Sequence, residues 1–362
     1  MGDHLNSNVL CAFNLETKNG KLHKVEVQPI TLTMEPHPRY RPFHVELGDD
    51  GIPPSDAADF FDAWAGEFHF PPNKRISPLG YNWTREVPLL RNWLGNATYE
   101  FFIDGRCRDF SAAHCYLCDK LYRREGLVLN GALHPISAMD LARQYYDLLT
   151  NKFVKVHRDY GFDTVCVIDT ETTGINPSKF EIIQLCIIPV DSDWNVRRDI
   201  IPFDIEIKPT GDIDPEALKK NKLDILRIMQ TGMENDTAQD LLGCWFAKLQ
   251  TLGAFKIVPL AHNWTFDASF INKFLGAGYD HLFTDFCRDT MSACLFENDF
   301  AYTNSSRIPF PKVNLPYIAS QLVIEHGRAH TALGDCLTTL EVYKELIKGR
   351  LPSGANSLLG AL

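Results

Sequence analysis

Short apolar segments separated by turns fill the second half of the chain, and this pattern limits the folds available to it. Three apolar stretches follow one another, at Val165–Asp169, Ile182–Val190 and Phe203–Ile207. Further on, segments with helical spacing alternate with short apolar runs. Adjacent strands followed by strands that alternate with helices are typical of a mixed α/β fold. We therefore predict a mixed sheet flanked by helices within residues 156–350.

The remaining elements of this half can be placed approximately from their apolar spacing. They are a helix at about 237–251, a strand at 256–260, a helix at 265–275, a short strand near Phe286 and a helix at about 331–347. After Tyr160-Gly161 the sequence changes to the apolar, strand-like segments described above. We therefore predict three segments, an amino-terminal domain at 1–155, an α/β domain at 156–350 and a tail at 351–362.

Composition narrows the class of protein further. Hydrophobic residues make up 45% of the 362, yet no run of 18 apolar residues occurs, so no membrane-spanning helix and no membrane partner are expected. Several of the ten cysteines lie inside apolar runs, such as Cys166 and Cys186, which is typical of a reducing, intracellular setting. The net charge of −10 argues against binding of long duplex DNA by charge alone.

The amino-terminal half is harder to interpret. Strands at Val9–Asn14 and Lys21–Val27 around Asn19-Gly20 indicate a hairpin, and a second hairpin is predicted at Phe101–Cys107. Helices are predicted at about 111–124 and 137–151, the latter capped by Ser137 or Asp140. Residues 35–100 give no clear order, and no internal repeat is predicted. We classify 1–155 as an α+β accessory domain of unrecognised type.

A group of cysteines and histidines in this half raises the question of zinc. The Cys115-x-x-Cys118 spacing fits a zinc knuckle, with Cys107 and His134 as further candidate ligands. A second Cys-x-x-Cys pair is absent from the sequence. Structural zinc therefore stays an option, while buried thiols are the favoured interpretation.

The most informative side chains are two carboxylates at the end of the apolar strand Val165–Asp169. Asp169 and Glu171 are two residues apart, so on a strand they point the same way. Neighbouring carboxylates repel each other unless a cation lies between them. Taken alone, the pair fits a metal site and a solvated strand end equally well. Thr172-Thr173-Gly174 then turns the chain.

Three further side chains extend this pattern. Asp267 shares a helix face with Phe270 and Ile271, which is costly unless the carboxylate is paired, bound to metal or used as a helix cap, a role also open to Thr265. His330 precedes the last helix, and Asp335 lies off its predicted apolar stripe, so both can face a cleft.

Together these segments resemble the DEDDh, or DnaQ-like, 3′–5′ exonuclease superfamily over about 162–348. The matching motifs are Val167–Gly174, His262–Asp267 and Arg328–Asp335, in that order along the chain. Asp289 resembles a recurrent strand end of the same family. The resemblance implies a ribonuclease H-like fold, a mixed five-stranded sheet flanked by helices.

The resemblance also implies a mechanism. Asp169, Glu171, Asp267 and Asp335 would hold two Mg²⁺ or Mn²⁺ ions, and His330 would act as general base. The products would be 5′-mononucleotides released from single-stranded 3′ ends of DNA or RNA. Candidate substrate contacts are Thr172, Thr173, Gly174, Ile175, Asn263 and Phe266.

The alternative function is a nuclease-fold module of weak or absent catalysis that binds nucleic acid or recruits a polymerase. A polymerase or other protein partner would dock on the amino-terminal domain. The expected location is intracellular, in the cytoplasm or with the nucleoid or nucleus, and a viral origin is equally open. The sequence indicates no oligomeric state.

Overall fold

The structure, a computed structural model, describes residues 8–48, 51–72, 74–121, 125–129, 135–150, 152–157, 164–221, 223–304, 306–325 and 331–352. The chain divides into two compact units. The first contains 1–158, 292–311 and 353–362, and the second contains 159–291 and 312–352. No helix within the described ranges is both long and apolar enough to span a membrane.

The first unit is built around a five-stranded sheet. Its elements up to residue 158 are β1 (Val9–Lys18), β2 (Lys21–Ile30), β3 (Phe43–Glu46), α1 (Pro54–Gly66), β4 (Ile76–Gly80), α2 (Trp83–Leu94), α3 (Asn96–Phe102), β5 (Arg108–Asp109), α4 (Phe110–Leu121), β6 (Glu125–Leu129), α5 (Ala138–Leu149) and β7 (Phe153–His157). The strand order is β3-β2-β1-β4-β5, and β6 pairs with β7 separately.

The β1–β2 hairpin confirms the turn predicted at Asn19-Gly20. Both residues have positive φ, 53° and 74°, as a tight turn between twisted strands requires. The two predicted helices are also present as α4 and α5, and the Ser137 hydroxyl accepts a hydrogen bond from the Asp140 amide at 3.1 Å. Ser137 is therefore the cap, as an extended residue before a helix commonly is.

The second hairpin predicted at Phe101–Cys107 is wrong. Phe101 and Phe102 end α3, and the next strand is β5, which pairs in parallel with β4. Asp104 explains why Asp104-Gly105 does not close a hairpin. Its carboxylate oxygens accept hydrogen bonds from the backbone and the guanidinium of Arg106, so it organises a helix-to-strand connection instead.

The chain after residue 158 forms a second five-stranded sheet and its helices, and it also contributes most of the helix Thr290–Thr303 to the first unit. The elements are β8 (Thr164–Thr172), β9 (Ile182–Pro189), β10 (Phe203–Glu206), α6 (Pro215–Asn221), α7 (Ile225–Thr231), α8 (Asn235–Thr251), β11 (Ile257–Ala261), α9 (Trp264–Leu275), α10 (Tyr279–Leu282), β12 (Arg288–Asp289), α11 (Thr290–Thr303), α12 (Leu315–Gln321) and α13 (Ala332–Ile347). The strand order is β10-β9-β8-β11-β12.

This sheet confirms the predicted mixed architecture. β8 pairs antiparallel with β9 and parallel with β11, and β11 pairs parallel with β12. All residues of β9 and β11 are buried, which explains why both strands are continuous apolar runs rather than alternating ones. The last strand begins two residues after Phe286, and α11 was not predicted.

The two sheets have the same order and the same register, so the expectation of no internal repeat is wrong. Cys11 of β1 lies opposite Pro78 of β4, as Cys166 of β8 lies opposite Pro259 of β11. Each long first strand also carries an irregularity directly after a glutamate, at Glu16 in one and at Glu171 in the other. The first unit is thus a second copy of the sheet topology of the second unit.

Local motifs repeat together with the topology. The pattern Pro-Leu-x-x-Asn-Trp-Thr occurs at 78–84 and at 259–265, and Cys-Arg-Asp occurs at 107–109 and at 287–289. In each copy the aspartate accepts a hydrogen bond from the tryptophan amide at the start of the helix. The Asp109–Trp83 and Asp289–Trp264 distances are both 2.8 Å. Each aspartate therefore stabilises a helix N-terminus through its exposed amides.

Two buried ion pairs lie in the first unit. Arg108 donates two hydrogen bonds to Asp299, at 2.5 and 2.8 Å, and Lys120 contacts Glu297, whose side chain is fully buried with it. Tyr116 also donates to Glu297, at 2.6 Å. Residues 297 and 299 belong to α11, so these pairs bind the 292–311 segment to the rest of the unit.

We predict that Lys120→Ala lowers the free energy of unfolding by about 3–5 kcal/mol, because it leaves the buried Glu297 carboxylate without its ammonium partner. Urea unfolding of the full chain measures the change. Lys152→Ala is the matched control, since the side chain of Lys152 is 59% exposed and its ion pair with Asp147 is long, at 3.8 Å. The control should change stability by no more than about 0.5 kcal/mol. Equal effects of the two substitutions would contradict the prediction.

Candidate active site

Three carboxylates meet at the carboxyl end of β8. One oxygen each from Asp169, Glu171 and Asp335 lies within 4.8 Å of the others. Asp169 and Glu171 are alternate residues of one strand and so project from the same face. Asp335 comes from the first turn of α13, which packs against β8 and β9. The pairing of strand end and helix start thus gathers three negative groups.

Asp267 reaches the same end of β8 from α9, where it is buried. One of its carboxylate oxygens accepts hydrogen bonds from the Thr170 amide at 2.9 Å and the Thr170 hydroxyl at 2.7 Å. Thr170 lies between Asp169 and Glu171, so Asp267 is attached to the strand segment that carries both. Neither Asp267 nor Thr265 caps α9, because Asp289 takes that role through the Asn263 and Trp264 amides.

Crowding and burial disturb the ionisation of these groups. The pKa of Asp169 is raised well above its usual value by burial, then by Asp267, Glu171 and Asp335. Burial, Asp335 and Asp267 raise the pKa of Glu171 to about 8. Burial also raises the pKa of Asp267 to about 7, against the hydrogen bonds from Thr170 that lower it. A positive charge at this place would relieve the repulsion.

The start of α13 is fixed by two side chains. The Thr331 hydroxyl accepts a hydrogen bond from the Gly334 amide at 3.2 Å, and the Gln184 amide oxygen accepts one from the Ala332 amide at 3.0 Å. Gln184 belongs to β9, so the sheet itself positions the helix that carries Asp335. His330, the predicted general base, lies outside the described residues.

The predicted apolar stripe of α13 is only partly buried. Cys336, Leu340 and Tyr343 are buried, but Leu333 and Leu337 are 37% and 43% exposed. Asp335 is half-buried, between the buried and the exposed faces. The helix therefore turns its acidic residue toward the carboxylate cluster while leaving two leucines on its outer side.

The loop after β8 contains four of the predicted substrate contacts. Thr172, Thr173 and Gly174 are buried, whereas the side chain of Ile175 is 64% exposed. Thr173 bonds to the backbone of Glu181 through both its amide and its hydroxyl, at 2.8 and 3.0 Å. Of these four side chains, Ile175 is the one presented to solvent.

Gly174 has a packing reason to be glycine. A Cβ at this position would lie 2.3 Å from a ring carbon of Phe180, which is far inside contact distance. The space beside Gly174 is thus filled by an aromatic ring of the same loop. The Thr172 hydroxyl donates to the Gly174 carbonyl at 2.7 Å and tightens the turn.

The start of α9 carries the two remaining predicted contacts. Asn263 adopts a left-handed conformation, with φ 69°, between β11 and the helix. Phe266 is half-buried and packs against Phe270, with ring centroids 5.0 Å apart. Trp264 is 2% exposed, so this aromatic belongs to the core.

The cysteines do not assemble a zinc site among the residues that the structure describes. Cys107 and Cys118 are buried and Cys115 is half-buried, and none of them belongs to a described group of three ligand atoms within metal-binding reach. The Cys118 sulfur lies 3.9 Å from His114 Nδ1. His134, the fourth predicted ligand, lies outside the described residues.

Three site residues were missed in the sequence or given no role there. Thr170 positions Asp267, Gln184 positions the start of α13, and Asp289 positions the start of α9. Each acts through a hydrogen bond between residues that are far apart in sequence. Only Asp289 left a signal, as the polar end of a short strand before a helix.

The donor set fits a divalent cation of the hard kind. Carboxylate oxygens are the ligands that Mg²⁺ and Mn²⁺ prefer, and three of them converge here. Burial and the neighbouring carboxylates raise the pKa values of Asp169 and Glu171. Within the described residues, this cluster is the group of acidic, histidine and cysteine side chains arranged to hold a metal. It is therefore a candidate metal centre.

Comparison with known proteins gives the family. Residues 166–343 match the RNase_T family model, described as an exonuclease. Ribonuclease T of Actinobacillus pleuropneumoniae serotype 5b (strain L20) is 26% identical over 213 residues, which is 56% of this chain and 88% of that protein. The DNA polymerase III subunit epsilon of Pasteurella multocida (strain Pm70) is 25% identical over 188 residues, 51% of this chain and 68% of that protein.

Among solved structures, E. coli Exonuclease I in complex with a dT13 oligonucleotide aligns with a TM-score of 0.40 and 22% identity. The alignment covers 50% of this chain and only 40% of Exonuclease I, so the chain spans about two fifths of that protein. The family match includes all four carboxylates of the site, Asp169, Glu171, Asp267 and Asp335. Residues 166–343 are therefore an exonuclease domain, and this part of the chain belongs to the DnaQ-like 3′–5′ exonuclease superfamily.

Proposed function

We propose that this protein removes mononucleotides from single-stranded 3′ ends by metal-dependent hydrolysis at the carboxylate cluster. The observation that carries the proposal is the convergence of Asp169, Glu171 and Asp335 within 4.8 Å in an exonuclease domain. Asp267, bound to Thr170, is the fourth carboxylate of the proposed site. The products are 5′-mononucleotides.

The proposed roles follow from the positions of the residues. Asp169, Glu171 and Asp335 would hold divalent cations, with Asp267 contributing directly or through water. The bound cations, two Mg²⁺ or Mn²⁺ in our proposal, would supply charge neutralisation and polarisation of the scissile phosphate. Thr170 holds Asp267 in place, and Gln184 fixes the helix that carries Asp335.

His330 is proposed as the general base on the strength of its sequence motif. It stands five residues before Asp335, and a histidine with an ordinary pKa near 6.5 is well suited to accept a proton at neutral pH. Ile175 is proposed to contact the terminal base, since its side chain is exposed beside the cluster-bearing strand. Asn263 and Phe266 are proposed to contact the substrate from the start of α9.

The chemistry of the cluster accepts either DNA or RNA. It acts on a phosphodiester, which both polymers share, and the relatives are named for both, as Ribonuclease T and as a DNA polymerase subunit. Single-stranded ends fit best, because a flexible end can bring its phosphate to half-buried carboxylates. A purely non-catalytic binding module is disfavoured, since retaining four clustered acids without a cation costs stability.

We predict that Asp169→Ala lowers kcat on 3′-labelled single-stranded DNA and RNA by at least about 100-fold, because it removes the central carboxylate of the cluster. Release of labelled mononucleotide with Mg²⁺ or Mn²⁺ measures the change. Asp240→Ala is the matched control, since Asp240 is exposed on α8 and lies outside the cluster. Near-normal turnover by the Asp169 variant would remove this residue from the mechanism.

We also predict that release of mononucleotide stops in excess chelator and resumes when Mg²⁺ or Mn²⁺ is restored. The reason is that the cluster offers only negative groups to a negative phosphate. Titration of the metal at fixed chelator, with the same labelled strands, measures the effect. Turnover that persists in excess chelator would exclude the metal-dependent mechanism.

The raised pKa values predict how stability depends on pH. The pKa of Glu171 is about 8 in the folded chain and about 4.5 in the unfolded chain, so the folded chain binds the proton of this carboxyl more tightly. Its contribution to stability is therefore complete below about pH 4.5 and is lost as the pH rises through about 8. Melting temperatures in chelator should fall over this range, and Mg²⁺ should reduce the fall. A decline that is identical with and without Mg²⁺ would contradict the metal assignment.

A further inference from the structure

The repeated register allows the catalytic positions of the second sheet to be located in the first. Counting from the equivalent cysteines Cys11 and Cys166, Asn14 stands at the position of Asp169. Glu16 likewise stands at the position of Glu171, directly before the irregularity of its strand. The first unit thus keeps one of the two strand carboxylates and replaces the other by an amide.

Glu16, the carboxylate that the first strand keeps, forms an ion pair with a lysine of the neighbouring strand. Lys24 of β2 lies opposite Glu16, and its ammonium donates to the Glu16 carboxylate at 2.6 Å. In the second sheet the residue opposite Glu171 is the neutral Gln184. An ammonium group carried by the chain therefore pairs with Glu16 at the position where the second unit has a neutral amide beside Glu171. The charge of Glu16 is thus already balanced by a cation of the chain itself.

The other two carboxylate positions of the first unit have also changed. Counted from the helix caps Ser137 and Thr331, the buried Leu141 replaces Asp335. Counted from the equivalent tryptophans, Glu86 replaces Asp267, and its side chain packs against Gly80. Glu16 is paired with a lysine, Glu86 packs against Gly80, and Asn14 and Leu141 are not carboxylates, so these four positions do not provide the donor set of the candidate metal centre.

A groove lies near the tip of the β1–β2 hairpin of the same unit. Its volume is about 700 Å³, within the usual range of ligand pockets. Lys18 and Lys21 supply positive charge, and none of its described lining residues is acidic. Both lysines are exposed, in a chain whose net charge is −10. The groove therefore attracts anions although the protein as a whole does not.

Aromatic and polar groups line the same groove in fixed positions. The Trp93 indole donates to the Pro54 carbonyl at 3.0 Å and packs against Phe61, which leaves its ring half-exposed. His23 Nδ1 lies 3.1 Å from the Leu47 carbonyl oxygen. Lysines beside a held, partly exposed aromatic ring are the combination that binds the backbone and the bases of a single strand.

We propose that the first unit is a metal-free copy of the exonuclease fold that binds single-stranded nucleic acid in the groove of Lys18, Lys21 and Trp93 without cutting it. The proposal rests on the function proposed for the second unit, since it names a further contact for the same substrate. It differs from that function in needing no metal and no catalytic carboxylate.

The test measures binding in the absence of cleavage. The full chain carrying Asp169→Ala is titrated against fluorescent dT20 and rU20 in excess chelator, and anisotropy reports binding. Adding Lys18→Glu and Lys21→Glu should weaken binding of both strands by about tenfold. It should also lower the slope of log affinity against log salt by about 1 for each lysine. Lys18→Gln with Lys21→Gln should give a smaller loss in the same direction.

Lys219→Glu with Lys248→Glu in the same Asp169→Ala background is the matched control, because both lysines are exposed, on α6 and α8, and the double reversal changes the net charge by the same amount. Melting temperatures within a degree or two of the parent exclude unfolding of the exposed hairpin variants. An affinity and salt slope equal to those of the control would overturn the proposal. So would equal displacement of dT20 by polyglutamate of the same length, which would make the groove a general anion site.

The outcome is separable from that of the proposed function. Cleavage is measured on the wild-type chain with Mg²⁺, whereas strand binding is measured on the Asp169→Ala chain in chelator. Loss of binding on charge reversal, with no cleavage by the wild type, would support the groove and reject the exonuclease proposal. Cleavage by the wild type with no effect of charge reversal would do the opposite.

Discussion

The hydrogen bonds between β8 and β11 bring the carboxyl ends of two parallel strands side by side, and the site depends on that arrangement. Asp169 and Glu171 leave the sheet at the end of β8, while α9, which follows β11, returns Asp267 to the Thr170 between them. If β11 were antiparallel to β8, the chain would leave β11 at the opposite end of the strands, away from Asp169 and Glu171. The fourth acid, Asp335, is added by a helix whose start is hydrogen-bonded to β9.

Much of this could be predicted from the sequence because its signals are local. An apolar strand ending in Asp169 and Glu171 is readable from adjacent residues, and so is the hairpin at Asn19-Gly20. The links made by Thr170, Gln184 and Asp289 could not be predicted, since each joins residues brought together only by folding. The roles of the catalytic residues, and the domain limits proposed from composition, stay predictions.

The repeat could not be predicted from the sequence for a related reason. Its identical residues are scattered in short groups, and the intervals between equivalent groups differ because the loops differ in length. Once the strands are paired, the register aligns Cys11 with Cys166 and Pro78 with Pro259. Hydrophobic patterning predicts that strands exist but not which strands are neighbours, so the shared topology could not be read from it.

The paired aspartates Asp109 and Asp289 have a consequence for how the two copies have diverged. Both hold the first amide of a helix in the same way, at the same distance, although the helix in one copy leads to Asp267 and in the other to Glu86. The chain thus contains two copies of one scaffold, in which the aspartates that hold the helix starts are kept while three of the four carboxylate positions carry different residues.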